Sequence, residues 1–142
     1  MAVTSLIGNT PLIALQGIGR DLPVPVLVKC EHLNPGGSVK DRIALAIVHD
    51  AEHRGVLQPG MTIIEATAGN TGIALALVAA ASGYDLVFTM PEKMSTDKRE
   101  ALAALGARVI VTPNAPTSAP ENFQNEARRL AEENGWFLAD QF

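Results

Sequence analysis

Two glycine-rich turns, each directly before a predicted helix, carry the residue types that could do chemistry in this chain. The first turn, residues 34–42, places Lys40 behind a Pro-Gly-Gly-Ser segment, and the second, residues 67–72, reads Thr-Ala-Gly-Asn-Thr-Gly. A lysine amine can form a Schiff base with a carbonyl compound. Backbone N–H groups at a helix N-terminus bind carboxylates and phosphates. Together, the two turns predict chemistry on a small amino acid held by a carbonyl cofactor.

Each turn also has an ordinary structural interpretation. Most lysines near a helix start are solvated surface charges, although the positive end of the helix dipole disfavours an ammonium at Lys40 and favours the nucleophilic free amine. Many strand-to-helix turns contain glycine for steric reasons alone. Neither turn by itself therefore identifies a function.

The composition predicts one folded domain and argues against several partner classes. The 142 residues, 47% of them hydrophobic, suffice for a single α/β domain with a core. Eleven basic and fifteen acidic residues give a net charge of −4, and the basic residues are scattered, so we expect no nucleic-acid partner. We read no signal peptide and no apolar run long enough for a membrane. Cys30 is the only cysteine, which excludes an internal disulfide and predicts a cytoplasmic location.

The hydrophobic pattern alternates strands and helices, which predicts an α/β fold with a parallel sheet and helices on both faces. Helix 72–82 is apolar on nearly every side, so we expect it to be buried. Ser38 with Asp41, and Ser118 with Glu121, are candidate capping boxes. The predicted strands are 11–16, 24–30, 61–66, 86–90, 108–112 and 136–139, and the predicted helices are 38–54, 72–82, 95–105 and 118–134.

The second glycine-rich turn follows strand 61–66 at its carboxyl end. Ligands of parallel sheets bind at this edge. A carboxylate or a phosphate would suit the backbone N–H groups of the turn and the positive end of the helix that follows.

Five motifs stand in order along nearly the whole chain. They are 7–12 (Ile-Gly-Asn-Thr-Pro-Leu), 35–42 (Pro-Gly-Gly-Ser-Val-Lys-Asp-Arg), 65–72 (Glu-Ala-Thr-Ala-Gly-Asn-Thr-Gly), 90–95 (Met-Pro-Glu-Lys-Met-Ser) and 140–142 (Asp-Gln-Phe). In this order and spacing, the chain resembles the cysteine synthase and cystathionine β-synthase family of pyridoxal-phosphate enzymes. The resemblance implies that residues 1–142 form the N-terminal α/β domain of a two-domain enzyme of fold type II.

The resemblance also implies a role for each matching residue. Lys40 would bind pyridoxal 5′-phosphate covalently and later act as acid and base at the substrate α-carbon. Asn70 would hydrogen-bond the ring hydroxyl oxygen of the cofactor. The segment that would bind the substrate α-carboxylate consists of Thr67, Ala68, Gly69, Asn70 and Thr71, with Gln141 assisting.

The reaction implied by the resemblance is a β-replacement in sulfur amino-acid biosynthesis. O-acetylserine or serine would lose its β-substituent, and sulfide or homocysteine would replace it, with the cofactor as electron sink. The resemblance does not distinguish these substrates. The full-length form would be a homodimer.

Two departures from the family pattern affect these expectations. Ala68 stands where many relatives carry serine, so one hydrogen bond to the carboxylate would be lost, at a cost of about 1 kcal/mol. Family members are also much longer than this chain, and their second half carries the loop for the cofactor phosphate and the residue facing the pyridine nitrogen. We therefore expect a truncated or separate N-terminal domain, in which residues 11–31 lack the surface they would pack against and promote association.

Other readings of the chain remain. A non-catalytic domain that binds a protein partner or a small amino acid is the main alternative. Residues 49–53 (His-Asp-Ala-Glu-His) match a zinc-peptidase pattern, but they lie at the polar end of a helix and a third ligand has no candidate, so we expect no metal site. Cys30 lies in an apolar strand, where a core role is expected.

Overall fold

Strands and helices alternate through most of the computed structural model, which describes residues 2–67 and 69–141. Each predicted strand and helix is present. The two N-terminal strands and the last strand are shorter than predicted, and the last helix begins at Phe123, five residues after its predicted start. Within the described residues, the strands are β1 (Leu12–Ala14), β2 (Leu27–Lys29), β3 (Thr62–Ala66), β4 (Asp85–Pro91), β5 (Arg108–Thr112) and β6 (Phe137–Leu138). The helices are α1 (Lys40–His53), α2 (Asn70–Ser82), α3 (Thr96–Ala104) and α4 (Phe123–Asn134).

Four of these strands form a parallel sheet in the order β5-β4-β3-β6. The central pair, β3 and β4, is in register with Ile64 opposite Val87. Every residue of β4 after Asp85 is buried. Strands covered on both faces read as continuous apolar runs, and this explains the composition of both central strands.

Helices cover both faces of the sheet, as the sequence predicted. Consecutive strand residues point to opposite faces, and Ile63 and Ile64 accordingly belong to two different cores. On one face α2 packs against the sheet, and α1 packs against α2. On the other face α4 packs through Ala127 and Ala131. No helix in the described part of the chain is both long and apolar enough to cross a membrane.

The helix α2 is buried along most of its length, which confirms the expectation from its apolar sequence. Helix α2 begins at Asn70, two residues before the predicted start at Gly72. It ends at Gly83, which adopts a left-handed φ of 77° that glycine tolerates best. The earlier start matters for the site because it places Asn70 and Thr71 in the first turn of the helix.

The strands β1 and β2 lie outside the parallel sheet and pair with each other. They form an antiparallel hairpin in which Ile13 is opposite Val28. Several apolar side chains of this hairpin and its loop are exposed: Leu12, Ile13, Leu15, Ile18, Leu22, Val24, Leu27 and Val28. The two strands of the hairpin therefore hydrogen-bond to each other, but the hairpin leaves an apolar surface uncovered.

Both predicted capping boxes are wrong. The Ser38 hydroxyl accepts a hydrogen bond from the Lys40 N–H (3.1 Å), but the Asp41 carboxylate accepts from the N–H of Gly36 instead of reaching back to Ser38. At α4, Asn122 caps the helix by accepting from the Gln124 N–H (3.0 Å). Ser118 lies several residues before this helix, in the preceding loop. At α1 the Gly36 N–H takes the Asp41 carboxylate, and at α4 Asn122 caps the helix in place of Ser118. Local spacing does not reveal such competing partners.

Candidate active site

Lys40 is the first residue of α1 and directly follows the glycine-rich turn, as the sequence indicated. Its side chain is half-buried. Its ammonium has no hydrogen-bond or ion-pair partner among the described residues, so the amine is free to react or to bind. The turn itself is closed by a hydrogen bond from the Gly37 N–H to the Asn34 carbonyl oxygen (2.8 Å), and Gly37 has a left-handed φ of 81°.

Asp41 holds this turn from inside the protein. Its side chain is completely buried, and its Oδ2 accepts a hydrogen bond from the N–H of Gly36. A Cβ at Gly36 would lie 2.9 Å from Cγ of Asp41 and closer still to Oδ1. Glycine is therefore required here because the carboxylate approaches the backbone closely. Among the described residues, Oδ1 has no hydrogen-bond donor.

Asn34 holds the same turn from the other side. Its Nδ2 group donates to the Ser38 carbonyl oxygen (3.0 Å) and to Oε2 of Glu31 (2.8 Å). Its Oδ1 accepts from the N–H of Gly8 (2.9 Å). The turn before Lys40 is thus tied to the N-terminal segment, which explains why residues 7–12 accompany the lysine motif.

An ion pair next to this turn connects three segments of the chain. Arg42 donates to both carboxylate oxygens of Glu31, from Nε (2.8 Å) and from Nη2 (3.0 Å). The Thr10 hydroxyl also donates to Glu31 (2.7 Å). Hydrogen bonds from Arg42 and then from Thr10 lower the pKa of Glu31 from 4.5 to about 2. This bidentate arrangement fixes the start of α1, and with it the position of Lys40.

The predicted anion-binding turn lies at the carboxyl end of β3. Thr67 is buried, whereas Gly69 and Asn70 are exposed at the N-terminus of α2. The Gly72 N–H donates to the Gly69 carbonyl oxygen (2.9 Å), which closes the first turn of the helix. Ala68, which belongs to the predicted carboxylate-binding segment, lies outside the described residues.

A pocket opens beside this turn, between the N-terminus of α2 and helix α3. Its volume is about 230 Å³. Gly69 and Asn70 contribute one wall, and Asp97 and Lys98 contribute part of the opposite wall. The exposed end of the turn therefore faces a space large enough for a small polar molecule.

Gln141 meets the same turn although it is distant in sequence. The Thr71 hydroxyl donates a hydrogen bond to Oε1 of Gln141. The structure thus brings Gln141 to the helix that carries Asn70. Among the described residues, Lys40 makes no hydrogen bond to this turn. The two motifs are instead connected by the packing of α1, which begins with Lys40, against α2.

Glu65 is a site residue that the sequence reasoning missed. It lies in the central strand β3 and is only 1% exposed. Its Oε1 accepts from the Ala66 N–H (2.8 Å) and its Oε2 from the Gln141 N–H (3.1 Å). Burial raises the pKa of Glu65 above its ordinary value. A charged residue in an otherwise apolar central strand was the available signal, because an ionised side chain is rarely buried without partners.

Residues 49–53, the segment that resembles a zinc-peptidase pattern, use both of their carboxylates in other contacts. Asp50 pairs with Arg54 (3.1 Å), and Glu52 accepts a hydrogen bond from the Tyr84 hydroxyl (2.8 Å). No group of three metal-ligating side chains occurs within residues 2–67 and 69–141. Cys30 is buried, which confirms its expected place in the core.

A family model described as "Pyridoxal-phosphate dependent enzyme" matches residues 3–142. The chain belongs to this family. The two glycine-rich turns fit the family's chemistry. One carries a lysine amine that has no partner within residues 2–67 and 69–141, and the other carries exposed backbone at a helix N-terminus. Pyridoxal 5′-phosphate is the cofactor of the family, which confirms the cofactor expected from the motifs.

Individual relatives are similar over nearly all of this chain. It is 49% identical over 140 residues to the cysteine synthase of Staphylococcus aureus, which covers 99% of this chain and 44% of the relative. It is 52% identical over 130 residues to the cystathionine beta-synthase of Oryctolagus cuniculus, covering 89% of this chain and 24% of the relative. The crystal structure of O-ureido-L-serine synthase superposes with a TM-score of 0.87 at 47% identity, covering 99% of this chain and 44% of that structure. The chain therefore spans less than half the length of the relatives it matches.

Proposed function

We propose that this chain takes part in a pyridoxal-phosphate-dependent β-replacement of sulfur amino-acid biosynthesis, as the N-terminal α/β domain (residues 1–142) of a two-domain enzyme. The single observation that supports it most is the family match over residues 3–142. Lys40 lies at the start of α1, where a cofactor-binding lysine of this family is expected. The substrates would be O-acetylserine or serine, with sulfide or homocysteine as the sulfur nucleophile. The names of the relatives, cysteine synthase and cystathionine beta-synthase, favour this class of reaction.

Lys40 is proposed as the residue that binds the cofactor and moves a proton. When bound, pyridoxal phosphate supplies an electron sink for negative charge at the substrate α-carbon. Lys40 Nζ removes the proton from that carbon and later returns it. The contacts of Glu31, Asn34 and Asp41 around the turn hold the lysine backbone in place for this transfer.

The turn after β3 is proposed as the binding site of the substrate α-carboxylate. The residues that would form it are Thr67, Ala68, Gly69, Asn70 and Thr71, and Gln141 assists. Its backbone N–H groups and the positive end of α2 attract an anion, an interaction worth about 0.3–1 kcal/mol at an exposed helix end. Asn70 holds the cofactor ring through the ring hydroxyl oxygen.

A cofactor titration tests the role of Lys40. Pyridoxal phosphate is added to the purified chain, visible absorbance is followed, and borohydride reduction with peptide mass spectrometry locates the modified lysine. We expect a visible band and modification of Lys40. The band should vanish in Lys40→Ala and persist in the control Lys93→Ala, which removes an exposed lysine. Equal bands in all three proteins would refute the assignment, and a folded wild type without a band would refute a cofactor site on this chain alone.

The hairpin of β1 and β2 is proposed to pack against a second domain through residues 11–31. Ile18 is 84% exposed and Val24 is 64% exposed, and the matched relatives extend well beyond the region shared with this chain. A contiguous exposed apolar surface of this kind usually marks an interface. We expect the isolated chain to self-associate as its concentration rises in sedimentation velocity, and Ile13→Lys to reduce the association. A monomeric wild type at every concentration would contradict the proposal.

The second candidate function is a non-catalytic domain that binds a protein partner or a small amino acid. The exposed apolar hairpin favours it, because such a surface could receive another protein. Binding of L-serine without any binding of pyridoxal phosphate would support this candidate over the first. A homodimer of the full-length form and a cytoplasmic location remain predictions.

A further inference from the structure

We propose that Glu65 is a positioning residue, which holds Gln141 against the anion-binding turn so that the carboxylate site is assembled from two distant segments. Its two carboxylate oxygens accept hydrogen bonds from two backbone donors, the N–H groups of Ala66 (2.8 Å) and Gln141 (3.1 Å). The second of these bonds joins residues 76 positions apart in the sequence. A buried carboxylate that accepts two backbone N–H groups makes strong, directional bonds.

The end of strand β6 explains why this support is needed. The parallel pairing of β6 with β3 finishes with a hydrogen bond from the Ala139 N–H to the Ile64 carbonyl oxygen (3.0 Å). Asp140 then takes a φ of 45°, a left-handed value that turns the chain away from the strand direction. The Gln141 N–H therefore loses its regular strand acceptor, and Glu65 replaces that acceptor.

The side chain of Gln141 is held by a second contact. Thr71 donates its hydroxyl hydrogen to Oε1 of Gln141, in the first turn of α2. With Oε1 occupied as an acceptor, the Nε2 group is left to donate. Glu65 thus fixes the backbone of Gln141, and Thr71 fixes the orientation of its amide.

A carboxylate is the class of ligand that this arrangement would bind. The exposed backbone of Gly69, the N-terminus of α2 and the Nε2 group of Gln141, which has no acceptor among the described residues, all favour negative charge. This assignment of the ligand rests on the proposed function, whereas the support of Gln141 by Glu65 does not.

Burial and the charged groups around Glu65 shift the pKa of its carboxyl. Burial raises the pKa of this carboxyl, and the nearby Asp140 carboxylate raises it further. The N–H groups of Gln141 and Ala66 and the guanidinium of Arg128 act in the opposite direction. Arg128 and Asp140 also pair with each other (3.5 Å), so both charges facing Glu65 belong to one ion pair. Protonation of Glu65 should weaken the bond to Gln141, because a neutral carboxyl is a poorer acceptor.

The first measurement uses the wild-type chain alone. The amide proton shifts of Ala66 and Gln141 are followed by NMR as a function of pH. Both should move together, with a midpoint above the 4.5 of an ordinary glutamate. The role of Glu65 would be overturned if the two amide shifts did not change with pH, or if they changed with different midpoints. This readout needs no variant and no ligand.

The second measurement compares Glu65→Gln with the wild type in the presence of pyridoxal phosphate. We expect the paired amide titration to disappear and the Kd for L-serine to rise about tenfold, equivalent to about 1.4 kcal/mol. The visible band of the cofactor should be retained. The matched control is Glu132→Gln on the exposed face of α4, which should change neither quantity.

The two measurements separate failure of the inference from failure of the proposed function. Unchanged Gln141 shifts and unchanged serine affinity in Glu65→Gln would overturn the inference. A wild type that binds no L-serine but shows the coupled titration of Ala66 and Gln141 would refute the carboxylate site and leave the positioning role supported.

Discussion

Replacing Gly36 by alanine should be among the most damaging single-methyl changes near Lys40. The added Cβ would lie 2.9 Å from Cγ of Asp41, whose side chain is fully buried and cannot move into solvent. Overpacking of this kind costs about 1–3 kcal/mol. Displacing the carboxylate also loses its hydrogen bond from the Gly36 N–H, and a bond to a charged group contributes about 1.5–3 kcal/mol. We therefore expect Gly36→Ala to lower the free energy of unfolding by about 2.5–6 kcal/mol.

Urea denaturation followed by circular dichroism measures this change. The control is Gly17→Ala, because a Cβ at Gly17 meets nothing within 4 Å and its backbone is not left-handed. Gly17→Ala should leave the free energy of unfolding unchanged or raise it by up to about 1 kcal/mol, because alanine restricts the conformations of the unfolded chain.

A double-mutant cycle identifies the cause. In an Asp41→Ala background the Cβ at residue 36 no longer meets a carboxylate, so Gly36→Ala should add less than about 1 kcal/mol of further destabilisation. Destabilisations of the two single variants that add within about 0.5 kcal/mol in the double variant would refute the reasoning. So would a Gly36→Ala variant as stable as the wild type.

Three further predictions concern a glycine in the first turn of α2, an ion pair and a helix cap. Gly72→Ala gains about 1 kcal/mol of helix propensity, but its Cβ would lie 2.9 Å from Cγ2 of Thr67. Urea denaturation should therefore show a free energy of unfolding lower by up to about 2 kcal/mol. A variant more stable than the wild type would contradict this prediction. Because the pKa of Glu31 is lowered from 4.5 to about 2, its ionisation stabilises the fold above pH 4.5 and this stabilisation is lost as the pH falls toward 2. Glu31→Gln should therefore be less stable than the wild type at neutral pH and equally stable near pH 2. The same difference in stability at both pH values would argue against the ion pair. Asn122→Ala should cost about 1–2 kcal/mol in thermal or urea melts, whereas Ser118→Ala should stay within about 0.5 kcal/mol, and the reverse order would restore the capping box predicted from sequence.

Much of the fold could be predicted because its signals are local. The apolar runs of β3 and β4 and the all-apolar α2 follow from residues within one turn or strand. Lys40 was expected at a helix start because a glycine-rich turn precedes it. Errors arose where two nearby polar residues can each cap a helix start, as Ser118 and Asn122 can before α4, which Asn122 caps. Local spacing cannot rank such competitors, since the outcome depends on what else each side chain contacts.

The role of Glu65 could not be predicted for a different reason. Its carboxylate was visible in the sequence, but its partner Gln141 lies 76 positions away. The Glu65 side chain and the Gln141 backbone N–H meet only because β6 adds to the edge of the sheet beside β3. A charged residue in an apolar strand signals that a partner is needed, but no local pattern identifies Gln141 as that partner.

By itself, the sequence determined the family motifs, the order of strands and helices, and the two turns that carry Lys40 and Asn70. These features depend on short-range patterns of apolar, glycine and capping residues, which act before any tertiary contact forms. Only the tertiary structure decided the strand order β5-β4-β3-β6, the antiparallel pairing of β1 with β2, and the meeting of Gln141 with Thr71 and Glu65. The physical reason is that strand neighbours and buried polar partners are selected by packing and hydrogen-bond satisfaction across the whole domain, over separations that no local pattern encodes.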